Sequence, residues 1–281
     1  MNNPFVFIII INWNGKHLLG DCLDSIAAVS YNNFKTLVVD NGSIDNSVGF
    51  IRENYQNVEV LELEENLGFA KGNNIGFNHV KRQNPQYVIF LNNDTVVDKN
   101  FIDPLIAALE KSPEIGQTCP KIYFHGSKQL IWYAGGTVKL WSGSISHKGI
   151  RENDSSIYTE PKTTDYATGC CVCMRTADYY SLNGFSEDYK MYAEDVDLSL
   201  RLRKTGKKIY FVPNSIVWHK VSSSIGGQFS LRKLYRKIKG IMRLINNHGN
   251  FLQRVTAVLI LCMFHIPTMG LKYIVIKVIK R

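Results

Sequence analysis

Four short polar clusters, each closing an apolar run, hold the side chains best suited to chemistry. Asn12, Trp13 and Asn14 follow residues 5–11, and Asp40-Asn41-Gly42-Ser43 follows residues 34–39. Glu65-Asn66-Leu67-Gly68-Phe69 follows residues 58–63, and Asn92-Asn93-Asp94 follows residues 87–91. Amides and carboxylates at such points suit hydrogen bonding to a nucleoside or coordination of a hard cation. Asp94 is placed for a cation that holds a diphosphate, although an Asp after a strand also serves as a turn residue or helix cap. A second acidic group, Glu194-Asp195-Val196-Asp197, opens a helical stretch. Acids there complement the helix dipole, and Asp197 with Arg201 forms an i,i+4 ion pair. Crowded carboxylates also raise one another's pKa, which suits Asp195 to a general base if a cavity adjoins. His219 is either a structural imidazole or a metal ligand.

The phosphate-binding glycine loops are missing. The turn after residues 5–11 has no Gly-x-Gly-x-x-Gly, and no Gly-x-x-x-x-Gly-Lys-Ser/Thr occurs. Both absences argue against a dinucleotide oxidoreductase and a P-loop enzyme, so a diphosphate must be held otherwise, usually through a divalent cation.

The elements that position these residues alternate over the first hundred or so positions. Runs at 5–11, 34–39, 58–63 and 87–91 predict strands. Apolar spacing predicts helices over 15–26, 45–54, 70–81 and 100–111, with Ser43 capping the second and Pro113 closing the last. The order predicts an α/β fold with a mainly parallel central sheet covered on both faces. Beyond residue 115 the pattern loosens into strands and turns that suit a substrate pocket, and Trp132 lies in this stretch as a candidate acceptor contact. Residues 166–174 read as a strand, 193–204 as a helix, and 209–212 and 215–219 as strands either side of Pro213.

With 281 residues, 45% hydrophobic and 20% charged, the chain can bury a substantial core. Its net charge of +9 is unevenly spread: residues 1–197 hold 16 Lys and Arg against all 24 acids, whereas 198–281 hold 17 and no acid. From residue 231 apolar positions form a helical stripe flanked by cations, then 255–266 and 271–279 are apolar runs too short to span a bilayer. An anionic membrane surface is the expected partner, with packing on the enzyme core or a second copy as the alternative. Nucleic acid is not expected, because the cations alternate with Leu and Ile rather than with exposed aromatic readers. The six cysteines show no zinc spacing and read as reduced, mostly buried thiols. Residues 5–11 are too short for a signal peptide, so a cytoplasmic protein on the inner face of the membrane is expected.

Five stretches together resemble a known family. In order, Ile10-Ile-Asn-Trp-Asn-Gly15, Val38-Val-Asp-Asn-Gly-Ser43, Asn66-Leu-Gly-Phe-Ala-Lys-Gly-Asn-Asn-Ile-Gly76, Leu91-Asn-Asn-Asp94 and Tyr192-Ala-Glu-Asp-Val-Asp-Leu-Ser-Leu-Arg201 are similar to the motifs of family 2 glycosyltransferases, particularly the rhamnosyltransferase-like branch. The likeness covers about residues 5–222. It implies a GT-A fold, with residues 1–225 as catalytic domain (1–115 the nucleotide-binding half, 116–225 the acceptor half) and 226–281 as a membrane-association tail. It further implies a dTDP- or UDP-linked sugar donor, a divalent cation (Mg or Mn), a glycan or lipid-linked acceptor, and inversion at the anomeric carbon. Carried over by position, Asp40 binds the nucleoside, with Asn12, Asn14, Asn41, Gly42, Lys71, Asn73 and Asn93 in the same pocket. Asp94 and His219 are metal ligands, Asp195 is the base, and Glu194 and Trp132 sit on the acceptor side. Asn92 departs from the pattern, standing where the family's Asp-x-Asp motif has its first carboxylate; this lowers the expected cation affinity. A sugar nucleotidyltransferase would share the core but requires a glycine- and lysine-rich first loop. A non-catalytic scaffold derived from such an enzyme is the other alternative.

Overall fold

A computed structural model describes residues 3–127, 129–189, 191–221 and 231–265. The first half runs β1 (Val6–Asn12), α1 (Lys16–Ala27), β2 (Phe34–Asn41), α2 (Ser47–Asn54), β3 (Val58–Leu63), α3 (Phe69–Val80), β4 (Tyr87–Asn92), β5 (Thr95–Val97) and α4 (Ile102–Lys111). The second runs β6 (Ile115–Phe124), β7 (Ile131–Tyr133), β8 (Gly136–Lys139), β9 (Ser144–His147), β10 (Lys162–Thr164), β11 (Cys171–Arg175), α5 (Thr176–Ser181), α6 (Glu194–Lys204) and β12 (Lys208–His219). Two helices follow, α7 (Leu231–His248) and α8 (Phe251–Ile260).

The main sheet is ordered β10-β12-β6-β11-β4-β1-β2-β3, with β5 on β12 and β7 on β6. The block β4-β1-β2-β3 is parallel, as helical crossovers require. Beyond it β11 enters antiparallel to both β4 and β6, while β6 and β12 are again parallel, so the far half of the sheet is mixed. Ile8, Ile9 and Ile10 of β1 are buried because the sheet is covered on both faces, which is why that strand reads as an unbroken apolar run. Five of the six cysteines are buried thiols and Cys262 is exposed; all are free.

Several sequence-derived boundaries change for physical reasons. Ser43 does not cap α2, which starts at Ser47 behind a left-handed Asn46; instead the Ser43 hydroxyl accepts from the Asn14 amide N–H. Only the end of 166–174 is a strand, because Ala167 and Gly169 donate their N–H groups to Ser199 and Asp195 of α6. The two strands placed around Pro213 are one, β12, with a register shift between Val212 and Ile216 that accommodates the proline.

The basic helix α7 forms as its stripe predicts, but it packs on the main core. Leu244 joins the main core, and α8 folds back on α7 through Ile241, Ile245, Ala257 and Leu261. Packing on the protein's own core, the alternative to a lipid-facing α7, is thus what α7 adopts. The run 271–279 lies outside the described residues. No described helix is long and apolar enough to cross a membrane.

Candidate active site

Residues at the carboxyl ends of β1, β2 and β4 form one hydrogen-bonded cluster. Asn12 donates through Nδ2 to Asp40 Oδ1 (3.0 Å) and accepts at Oδ1 from Asn93 Nδ2 (2.7 Å). The second oxygen of Asp40 accepts from the Ser43 N–H (2.8 Å), and Asn14 Oδ1 accepts from the Ile44 N–H (2.8 Å). Asn41 forms a separate clamp, bonding Asn66, the Leu67 N–H and the Gly68 carbonyl, which fastens the loop before α3. Gly42 has φ +72°, and a Cβ there would lie 2.7 Å from the Glu65 backbone, so this crossing requires glycine. Lys71 is exposed on α3, whereas Asn73 is buried and donates to the Phe69 carbonyl of its own helix (3.0 Å).

Sheet register brings the remaining candidates together. His219 at the end of β12 pairs with Thr95 of β5, next to Asp94. His219 Nε2 lies 3.1 Å from Asp94 Oδ1, with their side chains 9% and 11% exposed. On β11's side, the Cys170 carbonyl accepts from the Asn92 N–H (3.0 Å), and Gly169 donates to Asp195 Oδ2 (2.8 Å). The other Asp195 oxygen accepts from the Val196 N–H (2.8 Å). Burial pushes the Cys170 thiol well above its usual value, and the charges of Asp94 and Asp195 add to that.

A cavity of about 600 Å³, ample for a sugar, is lined by Asn92, Trp132, Glu194, Asp195 and His219 among others. The Trp132 ring stands edge-on between the imidazoles of His147 (4.5 Å) and His219 (4.4 Å). A larger depression of about 920 Å³ lies around Gln86, Arg175 and Tyr180, at the opposite, amino end of β4, and contains none of the candidates.

The acids are held unusually. Tyr192 and Ala193, directly before them, both have left-handed φ, 75° and 73°, a strained arrangement for non-glycine residues that recurs at functional sites. Burial first, and the Asp195 charge second, push Glu194 up to about 8, and its Oε2 has no hydrogen-bond partner among the described residues. Burial also raises Asp195, against the pull of its backbone N–H donors. Near neutrality Glu194 therefore keeps its proton beside Asp195. The Asp197–Arg201 pair forms at 2.7 Å. Asp197 also binds His248 of α7 at 2.7 Å, where both side chains are 3% exposed.

Residues 7–180 match the profile of glycosyl transferase family 2. The chain belongs to that family. This family-2 protein is 28% identical over 231 residues to the O-antigen biosynthesis protein RfbC of Myxococcus xanthus, covering 79% of this chain and 18% of that one. It is 26% identical over 221 residues to the N-acetylglucosaminyl-diphospho-decaprenol L-rhamnosyltransferase of Mycobacterium tuberculosis strain H37Rv, covering 73% and 72%. The chain thus spans only a small part of the first relative and most of the second. The crystal structure of GalNAc-T7 with UDP, GalNAc and Mn2+ superimposes with TM-score 0.69 at 20% identity, over 87% of this chain and 48% of that one. That likeness establishes the GT-A fold.

Sequence reasoning did not single out His147, Tyr166, Tyr192 or Lys237, which also line the cavity. Burial lowers His147 to about 4, so it is a neutral wall of the cavity. His147 and Lys237 come from β9 and α7, far from the motifs, and only tertiary packing reveals them.

Proposed function

We propose that this chain transfers a sugar, with inversion, from a nucleotide-diphosphate donor to a hydroxyl of a lipid-linked saccharide, with dTDP-rhamnose as the leading donor. The observation that carries the reading is that Asp195 and His219 line one cavity, with Asp94 3.1 Å from His219 behind it. The acceptor class follows the printed name of the mycobacterial relative.

In this reading the Asn12–Asp40–Asn93 cluster orients the nucleoside, and the acceptor hydroxyl lies against Asp195. As the oxygen attacks the anomeric carbon, Asp195 takes its proton, while the bond to the diphosphate breaks on the opposite face. Attack opposite the leaving group inverts the centre. Raised basicity from burial suits Asp195 to that proton, and its two backbone donors fix the carboxylate. Glu194, protonated near neutrality, donates to the acceptor and lets Asp195 carry the charge.

A divalent cation fits the donor set in part. Among the described residues no cluster of three or more His, Cys, Asp or Glu exists, but Asp94 and His219 converge at 3.1 Å with Asn92 nearby. Two protein ligands, completed by diphosphate oxygens and water, are a usual arrangement for a hard cation at a phosphate. When bound, the cation would stabilise the charge growing on the leaving diphosphate. Among the described residues His219 Nδ1 is buried without a hydrogen-bond partner, and its ring packs edge-on against Trp132.

The partner surface is an anionic membrane. Support comes from the acid-free stretch 198–281 and from α8, where Phe251 and Leu252 are 81% and 69% exposed, with Val255, Val258, Leu259 and Met263 beside them.

The test is a panel of nucleotide-diphosphate sugars, read by thermal shift with and without Mn2+ and by release of nucleoside diphosphate. We expect one or a few donors to stabilise the protein and to be slowly hydrolysed. Binding without any release indicates a scaffold, and no binding by any donor rejects the reading.

A further inference from the structure

A second cavity, of about 480 Å³, lies beside the first, and Met191 and Tyr192 line both. Helix α7 borders the two together. Lys237 and Ile241 face the first, whereas Arg236, Lys239 and Arg243 face the second. Gly240 permits this close seating: a Cβ there would stand 2.7 Å from the Tyr192 carbonyl oxygen.

The charges in the second cavity are unequally committed. Arg243 binds Asp188, at its carbonyl and with 3.7 Å to its carboxylate, and lies over the Tyr189 ring. Glu187, also in the lining, accepts from Asn74 Nδ2 (3.1 Å). Among the described residues, Arg236 and Lys239 pair with no carboxylate, and the side-chain bond of Arg236 is to Met191 Sδ at 4.0 Å. A guanidinium and an ammonium in one concave site, on a stretch of chain without acids, match a phosphate group.

We propose that this second cavity binds the diphosphate through which the acceptor sugar is joined to its lipid, with Arg236 and Lys239 as its ligands. The proposal rests on the reading that the first cavity takes the acceptor sugar. Met191 and Tyr192 line both cavities, so here they lie between the reacting hydroxyl and the anomeric phosphate of one sugar. From there the lipid runs past exposed Tyr235 and Met242 toward the apolar face of α8. The tail helices thus form part of the substrate site as well as an anchor.

An anionic lipid headgroup carries the same phosphate chemistry, and the experiment separates the two. Binding of farnesyl diphosphate and of farnesol to the full chain is measured by calorimetry, for the wild type, R236A/K239A and R236K/K239R. We expect the wild type to prefer the diphosphate by about tenfold or more, the alanine pair to lose that preference at unchanged melting temperature, and the charge-conserving pair to keep most of it. The proposal is overturned if the wild type shows no preference or if the alanine pair retains it. It is equally overturned if the alanine pair keeps the preference but no longer sediments with phosphatidylglycerol vesicles, since the cations then serve the bilayer. Wild-type donor hydrolysis is measured alongside. Its absence rejects the glycosyltransfer reading and this proposal with it; hydrolysis without a diphosphate preference rejects this proposal alone.

Discussion

Replacing Glu194 by Gln tests whether a protonated acid stands beside the base. Burial and the neighbouring Asp195 raise Glu194 from 4.5 to about 8. The unfolded chain therefore releases this proton near pH 4.5 while the folded chain keeps it to about pH 8. Between those values the folded state binds more protons, so wild-type stability falls as pH rises, and the full penalty applies above pH 8. At about 1.4 kcal/mol per pH unit the ceiling is about 5 kcal/mol. Water in the open cavity screens the charge, so we expect about 2 kcal/mol at pH 9 and under about 1 kcal/mol at pH 5. Gln is neutral throughout and avoids the penalty. Scanning fluorimetry of both proteins from pH 5 to 9 reads the difference, at about 2–4 °C per kcal/mol for a chain of this size. An advantage for the Gln variant that is equal at the two ends, or a Gln variant less stable at pH 9, refutes the reasoning.

His248→Ala strips Asp197 of one buried partner and leaves Arg201; we expect a loss of about 2–4 kcal/mol in urea unfolding. Burial acts to raise Asp197, but bonds from His248 and Arg201 outweigh it and hold the carboxyl below its usual range. Its contribution is therefore present above the ordinary carboxylate value of 3.8 and is lost as pH falls through the lower folded value. Gly240→Ala should push α7 off the Tyr192 carbonyl, costing about 1–3 kcal/mol in chemical denaturation and lowering kcat more than donor affinity, because the acids that follow Tyr192 shift. Leu252→Asp with Leu259→Asp, at exposed positions of α8, should release the chain from anionic vesicles without altering its melting temperature; unchanged sedimentation would reject the membrane contact. These substitutions are a cleaner test than deleting the tail, since α7 contributes Leu244 to the core.

The candidate site was legible in the sequence wherever a strand ended. Asn12, Asp40 and Asn93 meet because parallel strands finish at one edge, a consequence of the strand–helix alternation alone. Asp94 and His219 needed the family resemblance, because their contact depends on β5 pairing with β12 across more than a hundred residues. An amphipathic stripe tells which face of α7 is apolar but not what covers it, so the docking through Leu244 and His248 was hidden. Ser43 reads as a helix cap by type and position, yet its hydroxyl is taken by Asn12 and Asn14 at the strand ends. The left-handed Tyr192 and Ala193 leave no mark in composition, since neither residue type favours that conformation.

The central claim, that Asp195 removes the acceptor proton while Asp94 and the nucleoside cluster hold the donor, is tested most directly with Asp195→Asn. Sugar transfer and donor affinity are measured on the same preparation, using the donor found in the panel. We expect kcat to fall by about 10² to 10⁴ while donor affinity is unchanged. Transfer at the wild-type rate, or a loss of donor binding equal to the loss of rate, would contradict it.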